Sequence, residues 1–375
     1  MIHPAISCNL DADILEAALP LLEASEVEAL EWSFDTLYKS GGMPPWFEAL
    51  LDAYGREGRL VGHGVYFSLF SGRWSEDQAK WLTELGRLSE RFRFDHITEH
   101  FGFMTGDNFH AGAPISIPYN PVTLAIGQDR LKRIQQACRR PIGLENLAYA
   151  YSVEAVKVHG EFLEQLVGPV NGFIILDLHN LYCQLHNFEV DFEEMIGLYP
   201  LHRVREIHIS GGSWEDAAVQ PGRKIRRDTH DDSVPDEVFR LLEKTIPLCP
   251  NLKFVVLEQL GAGLKTETHK IAFRCDFRKM SAIVSQSNRA DRFSGLDDFV
   301  VRAPLPDDPP LEDETLHRQQ RELSHILENA ADVATAENLL RHSGLAKTEW
   351  RIEDWDPAML ETAVRIAQKW RHGFV

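Results

Sequence analysis

Eight short runs of apolar and β-favouring residues recur along the chain. They lie near 2–8, 29–34, 59–70, 94–101, 141–147, 173–181, 204–210 and 254–260. Between them lie longer stretches with a helical period. DADILEAALPLLEA opens with an acidic first turn, which suits the positive end of a helix dipole. SEDQAKWLTELGRLSERF begins at Ser75, a good N-cap, and sets Trp81, Leu82, Leu85 and Leu88 on one stripe. SVEAVKVHGEFLEQLV and VPDEVFRLLEKTI behave alike. Strand–helix alternation at this spacing predicts an α/β fold with a parallel sheet, and eight units predict closure into a (β/α)8 TIM barrel. Residues 1–285 are expected to form that metal-binding catalytic domain.

Residues 286–310 change character. The run SNRADRFSGLDDFVVRAPLPDDPP is rich in Asp and Pro and predicts a linker or a strap over the surface. Residues 311–375 then regain a helical period up to Gly344, a good C-cap, and again in DPAMLETAVRIAQKWRHGF. This C-terminal helical extension reads either as a docking element or as helices packed on the barrel. Because it lies beyond the eight units, the ligand cluster is expected to survive its removal.

Composition narrows the class. With 57 acidic against 39 basic residues the formal net charge is −18, which repels a phosphate backbone and argues against a nucleic-acid partner. No apolar stretch reaches the roughly 18–20 residues of a membrane helix. The first residues lack a basic region followed by an apolar core, so no secretory signal is expected. The cysteines, five in number and never in a C-x-x-C pair, read as reduced thiols of a cytoplasmic protein. Cys183, just past one of the strand runs, could lie near a site.

The chemistry sits where the apolar runs end. VGHGVYFSLF carries His63, FDHITEHFG carries His100, IGLENL carries Glu145, and FIILDLHN carries Asp177 and Asn180. REIHISG carries His208, RRDTH carries Asp228 and His230, and FVVLEQ carries Glu258. In a βα barrel these strand ends converge on one mouth. A single histidine after a strand is more often a hydrogen-bonded structural residue. Glu145, Asp177 and Glu258, however, sit inside apolar sequence, where an ionised carboxylate needs a strong partner. Imidazoles, carboxylates and an amide without a thiolate suit Fe, Mn or Zn, and the set is too large for one tetrahedral ion. A carboxylate can span two cations. Asp228 and His230, two apart, would point the same way from an extended segment. Strand alternation turns His179 away from Asp177's neighbours and favours a structural role for it; otherwise it supplies a further ligand or a substrate contact.

The ordered set GHGVYFS, TEHFGF, FHAGAPISIPY, IGLENLAYAY, ILDLHNLY, VREIHISGG, RRDTHDDSVPDEVF and VVLEQ resembles the multinuclear non-haem iron-dependent oxidases, the methanobactin-maturing-oxidase-like family of xylose-isomerase-like barrels. The likeness spans roughly residues 1–280. It implies that His63, His100 and Glu145 hold one ion, with Glu145 bridging to a second held also by Asp177, His208 and Glu258. Asn180, Asp228 and His230 would hold a third. Tyr119, Asn146 and His179 would face the substrate. It further implies two or three iron ions, mixed Fe(II)/Fe(III), with O2 as co-substrate. The reaction would abstract hydrogen from the β-carbon of a cysteine in a ribosomally made precursor peptide, aided by a small peptide-recognition partner protein. Length and helical tail resemble the thiaglutamate-pathway member that excises a cysteine β-carbon. The chain departs from the pattern in two ways: Gly211 and Gly212 stand where the family often has a further histidine, and His179 stands where it often has Asn. The competing readings are a zinc phosphoesterase of the apurinic endonuclease type, a metal-dependent sugar isomerase lacking an obvious base lysine, and a metal-binding scaffold whose partner does the chemistry.

Overall fold

All eight predicted runs form strands in the computed structural model, which describes residues 1–35, 42–106, 111–289, 299–301 and 308–372. In chain order the elements are β1 (His3–Ser7), α1 (Ala12–Glu23), β2 (Ala29–Trp32), α2 (Pro45–Arg56), β3 (Leu60–Gly64), α3 (Glu76–Arg91) and β4 (Ile97–His100). A small hairpin, β5 (Phe103–Met104) and β6 (Pro114–Ile115), precedes α4 (Pro121–Cys138), β7 (Ile142–Glu145), α5 (Val153–Val167), β8 (Phe173–Asp177), α6 (Leu178–Asn187) and α7 (Phe192–Ile196). Then come β9 (Val204–Ile209), a second hairpin of β10 (Trp214–Asp216) and β11 (Lys224–Arg226), α8 (Asp236–Thr245), β12 (Phe254–Leu257) and α9 (Glu267–Arg289). The chain ends in α10 (Glu314–Asn329), α11 (Val333–Arg341) and α12 (Pro357–Trp370).

The strands close into a barrel in the order β1-β12-β9-β8-β7-β4-β3-β2, and every pairing within it is parallel. This is a TIM barrel with extra C-terminal helices. Local chemistry starts the helices where the sequence predicts: Ser75 and Gln78 form a reciprocal capping box on α3. Residues 286–289 of the expected linker continue α9, while 290–298 and 302–307, and Phe109 and His110 of the FHAGAPISIPY motif, lie outside the described residues.

The strands stop sooner than the apolar runs do. The run at 59–70 leaves the sheet after Gly64, and the run at 173–181 leaves it at Asp177. Asp177 caps α6, its Oδ1 accepting the Asn180 N–H at 2.6 Å. Hydropathy does not fall at these points because Tyr66, Phe67, Leu69, Phe70, Leu178 and Leu181 remain buried beyond the strand ends.

Ala5, Ala29, Val61, Phe254 and Val256 form an apolar plug inside the barrel. Leu316, Leu323, Leu327, Leu340, Trp350 and Val364 of the C-terminal helices join the same large core as the barrel's helix layer. Gln320 wedges between the two: its amide accepts from Gly72 N at 2.8 Å and donates to Phe70 O at 2.7 Å. Of the two readings of the extension, the packed one describes its position. No helix among the described residues is long and apolar enough to cross a membrane.

Candidate metal centre

The C-terminal strand ends carry His63, His100, Glu145, Asp177 and His208, with Glu258 one residue past β12. Sheet register places them side by side, His100 opposite Glu145 and Asp177 opposite His208. Two groups of side chains each bring one ligand atom per residue within 4.8 Å of one another: His63, His100 and Glu145; and Glu145, Asp177, His208 and Glu258. Glu145 is common to both. Its Oε2 lies 3.0 Å from His100 Nε2 and 3.5 Å from His63 Nε2, while Oε1 lies 3.7 Å from His208 Nδ1.

Hydrogen bonds fix which imidazole nitrogens face the centre. The Thr98 hydroxyl donates to Gly62 O at 3.2 Å, so it accepts from His63 Nδ1–H at 2.8 Å. That leaves the lone pair of His63 Nε2 facing Glu145. Burial, with the nearby His100 charge, lowers the His63 pKa to about 4, which keeps the ring neutral as a ligand must be. His208 directs Nε2 at Glu31 Oε2, 3.1 Å, and Glu206 Oε1, 3.2 Å, and Nδ1 at Glu258, 3.2 Å. A carboxylate behind a ligand histidine orients the ring and raises its basicity.

Glu31 and Glu206 are fully buried, and with His208 they form a third group of candidate ligands. Sequence reading passed over both. The signal for Glu206 was present, since alternation puts it on the same strand face as His208, two residues on. Glu206 Oε2 meets His96 Nε2 at 2.6 Å, and His96 Nδ1 meets Asp95 at 2.9 Å. Asp95 pairs in turn with Arg205, 2.8 Å, and with Lys253. This line of paired charges crosses the barrel interior, where an unpaired one would be costly.

Asp228 and His230 come together as expected, Nε2 to Oδ1 at 2.8 Å, and His230 Nδ1 lies 3.8 Å from Glu258. The segment is not extended, however: His230 has φ of 51°. Asn180 stands beside Glu145, its Nδ2 3.3 Å from Oε1, and among the described residues no hydrogen bond joins it to Asp228 or His230. His179 is carried by α6, so strand alternation does not apply to it. Arg226 Nε donates to its Nε2 at 3.1 Å, so Nδ1 bears the proton donated to Asp228 Oδ1, also 3.1 Å. His179 thus orients Asp228. Gly211 and Gly212 have a packing reason: a Cβ at 211 would lie 2.2 Å from Asp232 O and Ser233 O. At 212 it would lie 2.2 Å from Arg227 O and 2.9 Å from the His179 ring, which fills that space.

Of the other expected substrate contacts, Asn146 is fully buried. It accepts from Asp177 N at 2.7 Å and donates to Asp177 O at 3.1 Å, and so braces the end of β8. Tyr119 stacks on Phe162 of α5 with centroids 4.6 Å apart, in the helix layer. Cys183 is buried, and burial pushes its thiol well above the usual range.

The residues fit multivalent cations. Among the described residues Asp177 Oδ2 and Asn180 Oδ1 are buried without hydrogen-bond partners, at a place where such atoms cost free energy unless something binds them. Burial, then repulsion from Glu145, Asp228 and Glu258, pushes the Asp177 carboxyl well above its ordinary range. Too many carboxylates meet there for all to ionise without added positive charge. Oxygen and imidazole donors with no thiolate match iron, manganese or zinc.

The family model described as RiPP precursor modification enzyme MbnB/TglH/ChrH matches residues 14–260. A UPF0276 protein of Caulobacter vibrioides is 27% identical over 233 residues, 61% of this chain and 76% of the relative. Another from Chromobacterium violaceum is 29% identical over 185 residues, 49% of this chain and 64% of the relative. Among solved structures, D-psicose 3-epimerase from Clostridium cellulolyticum H10 is similar at a TM-score of 0.47 and 13% identity, over 77% of this chain and 99% of that one.

Proposed function

Because this chain belongs to the MbnB/TglH/ChrH family of RiPP precursor modification enzymes, we propose that it is an iron- and O2-dependent oxidase acting on a cysteine of a ribosomally synthesised peptide. The observation that carries the reading is the sharing of Glu145 between two ligand groups, buried except for His100, in one barrel mouth, the arrangement two adjacent cations require. His63, His100 and Glu145 would hold one ion, and Glu145, Asp177, His208 and Glu258 a second. Asp228 and His230, joined to the second group through Glu258, would hold a third together with Asn180. Bound iron with O2 would supply the oxidising power to remove hydrogen from the cysteine β-carbon.

The chain's own residues have simpler tasks. Thr98 and Glu206 orient His63 and His208. Asn146 holds the end of β8 so that Asp177 faces the centre. His100, the more accessible imidazole with 28% of its side chain exposed, marks the open side from which a peptide would approach. A small recognition protein would present that peptide.

The test is anaerobic purification, metal analysis and turnover with candidate cysteine-containing peptides. Two or three iron ions per chain, peptide-dependent O2 consumption and a mass change confined to a cysteine are expected. Zinc as the sole metal with no O2 uptake would overturn the proposal.

A further inference from the structure

We propose that the C-terminal helix α12 sets the geometry of the Asp228–His230 pair, with Glu361 as its positioning residue; this rests on the reading that the pair holds an ion. Glu361 is a carboxylate only 3% exposed. Its two oxygens accept the backbone N–H groups of Ala218 and Val219, each at 3.2 Å, in the turn of the β10–β11 hairpin. Arg365, one turn further along α12, bridges Glu361 to Glu215 on the same hairpin. At the start of α12, Asp356 takes Arg223 at 2.8 Å. Ala217 and Ile225 of the hairpin pack on Ala358 and Met359 of α12 in a small apolar cluster of their own.

The hairpin leads straight into the ligand segment. Arg226 closes β11, and two residues later comes Asp228. Asn187 pins the Arg226 backbone from both sides, at 2.8 and 3.0 Å. The Arg226 side chain then fixes His179, and His179 fixes Asp228. Among the described residues the hairpin has no strand neighbours in the barrel, since β10 and β11 pair with each other alone. Its position is therefore decided by what it leans on: α12 at the turn, and α6 along β11 through Asn187 and His186. Backbone N–H groups held by a buried carboxylate are charge-assisted bonds, and their loss frees the turn of the hairpin from α12 while α6 still holds β11. The other two ligand groups sit on barrel strands and do not depend on this support.

The experiment compares the full-length chain with Glu361→Ala, Glu361→Gln and Asp228→Ala. Hydrogen exchange of metal-free protein is read over residues 213–230, and Fe(II) affinity and stoichiometry are measured anaerobically. In Glu361→Ala, exchange at the hairpin is expected to quicken at least tenfold and one ion to bind at least tenfold more weakly, with the remaining ions and the far-ultraviolet circular dichroism unchanged. Glu361→Gln keeps one acceptor and should fall between, which also secures the test if the alanine variant does not fold. Unchanged hairpin exchange in both variants overturns the proposal. So does faster exchange with every ion held at wild-type affinity, or loss of all ions from a folded protein. If Asp228→Ala itself loses no ion, the three-ion reading fails, and hydrogen exchange still reports on the clamp separately.

Discussion

Replacing Glu145 with Gln should remove more than one ion from the protein. The side chain is 7% exposed and projects from the end of β7 into the middle of the centre. Gln has nearly the same volume, so packing around it is unchanged and no cavity forms. What changes is charge and one donor atom: an amide has a single oxygen, and its NH2 group would face either the His63–His100 side or the His208 side. Both candidate ion groups use a Glu145 oxygen, so one of them receives an N–H donor in place of a ligand and both lose a negative charge. Altering a partner that merely orients a ligand costs about 10–100-fold in metal affinity, so losing a ligand atom outright should cost at least about 100-fold. At about 1.4 kcal/mol per decade this is about 2.8 kcal/mol for the more affected ion. The assay is anaerobic Fe(II) reconstitution, removal of loose metal by gel filtration and metal analysis per folded chain, with His63→Ala and Asp228→Ala as controls that each empty mainly one site. A folded Glu145→Gln protein that keeps full stoichiometry, or loses only one ion's share, would refute the bridging role.

In the metal-free protein the contributions of His208, His230 and Glu145 should all be present together between about pH 4.5 and 6.5. Burial opposes charging of His208 and His230, but Glu258 for the first and Asp228 for the second raise their pKa well above the usual value, so their contribution is present below about 6.5 and lost as pH rises through the folded values. Burial opposes ionisation of Glu145 too, yet His100 holds it well below the carboxylate range, so its contribution is present above about 4.5 and lost in acid. Because ions displace those protons, stabilisation by added metal should grow with pH; thermal melts with and without metal from pH 5 to 8 would check it, and a constant difference would refute it. Removal of residues 311–375 should unfold or aggregate the chain, since each large apolar side chain re-exposed costs about 1.5–3 kcal/mol against a total stability of about 5–15 kcal/mol; a truncated protein that melts cooperatively and binds iron would contradict the shared core. Asn146→Ala leaves the buried Asp177 N–H without its side-chain acceptor at 2.7 Å and should cost about 1–3 kcal/mol, read by urea unfolding; a loss under 0.5 kcal/mol would show that Asp177 needs no brace.

The sequence by itself determined the barrel and most of its mouth. Eight apolar runs at helix-length spacing admit few other architectures, and a carboxylate or imidazole ending such a run has nowhere to go but the C-terminal rim. Glu145, Asp177, His208 and Glu258 were legible for that reason. What sequence could not decide was where each strand leaves the sheet, because burial continues past the strand end and hydropathy stays high. That boundary governs side-chain direction: Asp177 caps a helix, so His179 turns toward Asp228 when an extended chain would send it elsewhere. Tertiary structure alone also joined Glu31, 177 residues from His208, to the back of that ring. It alone seated the C-terminal helices, since a helical period records which face is apolar and not which surface it covers. The packing of Glu361 against the hairpin that carries Asp228 depends on such a surface, and on contacts across 142 and 143 residues of chain.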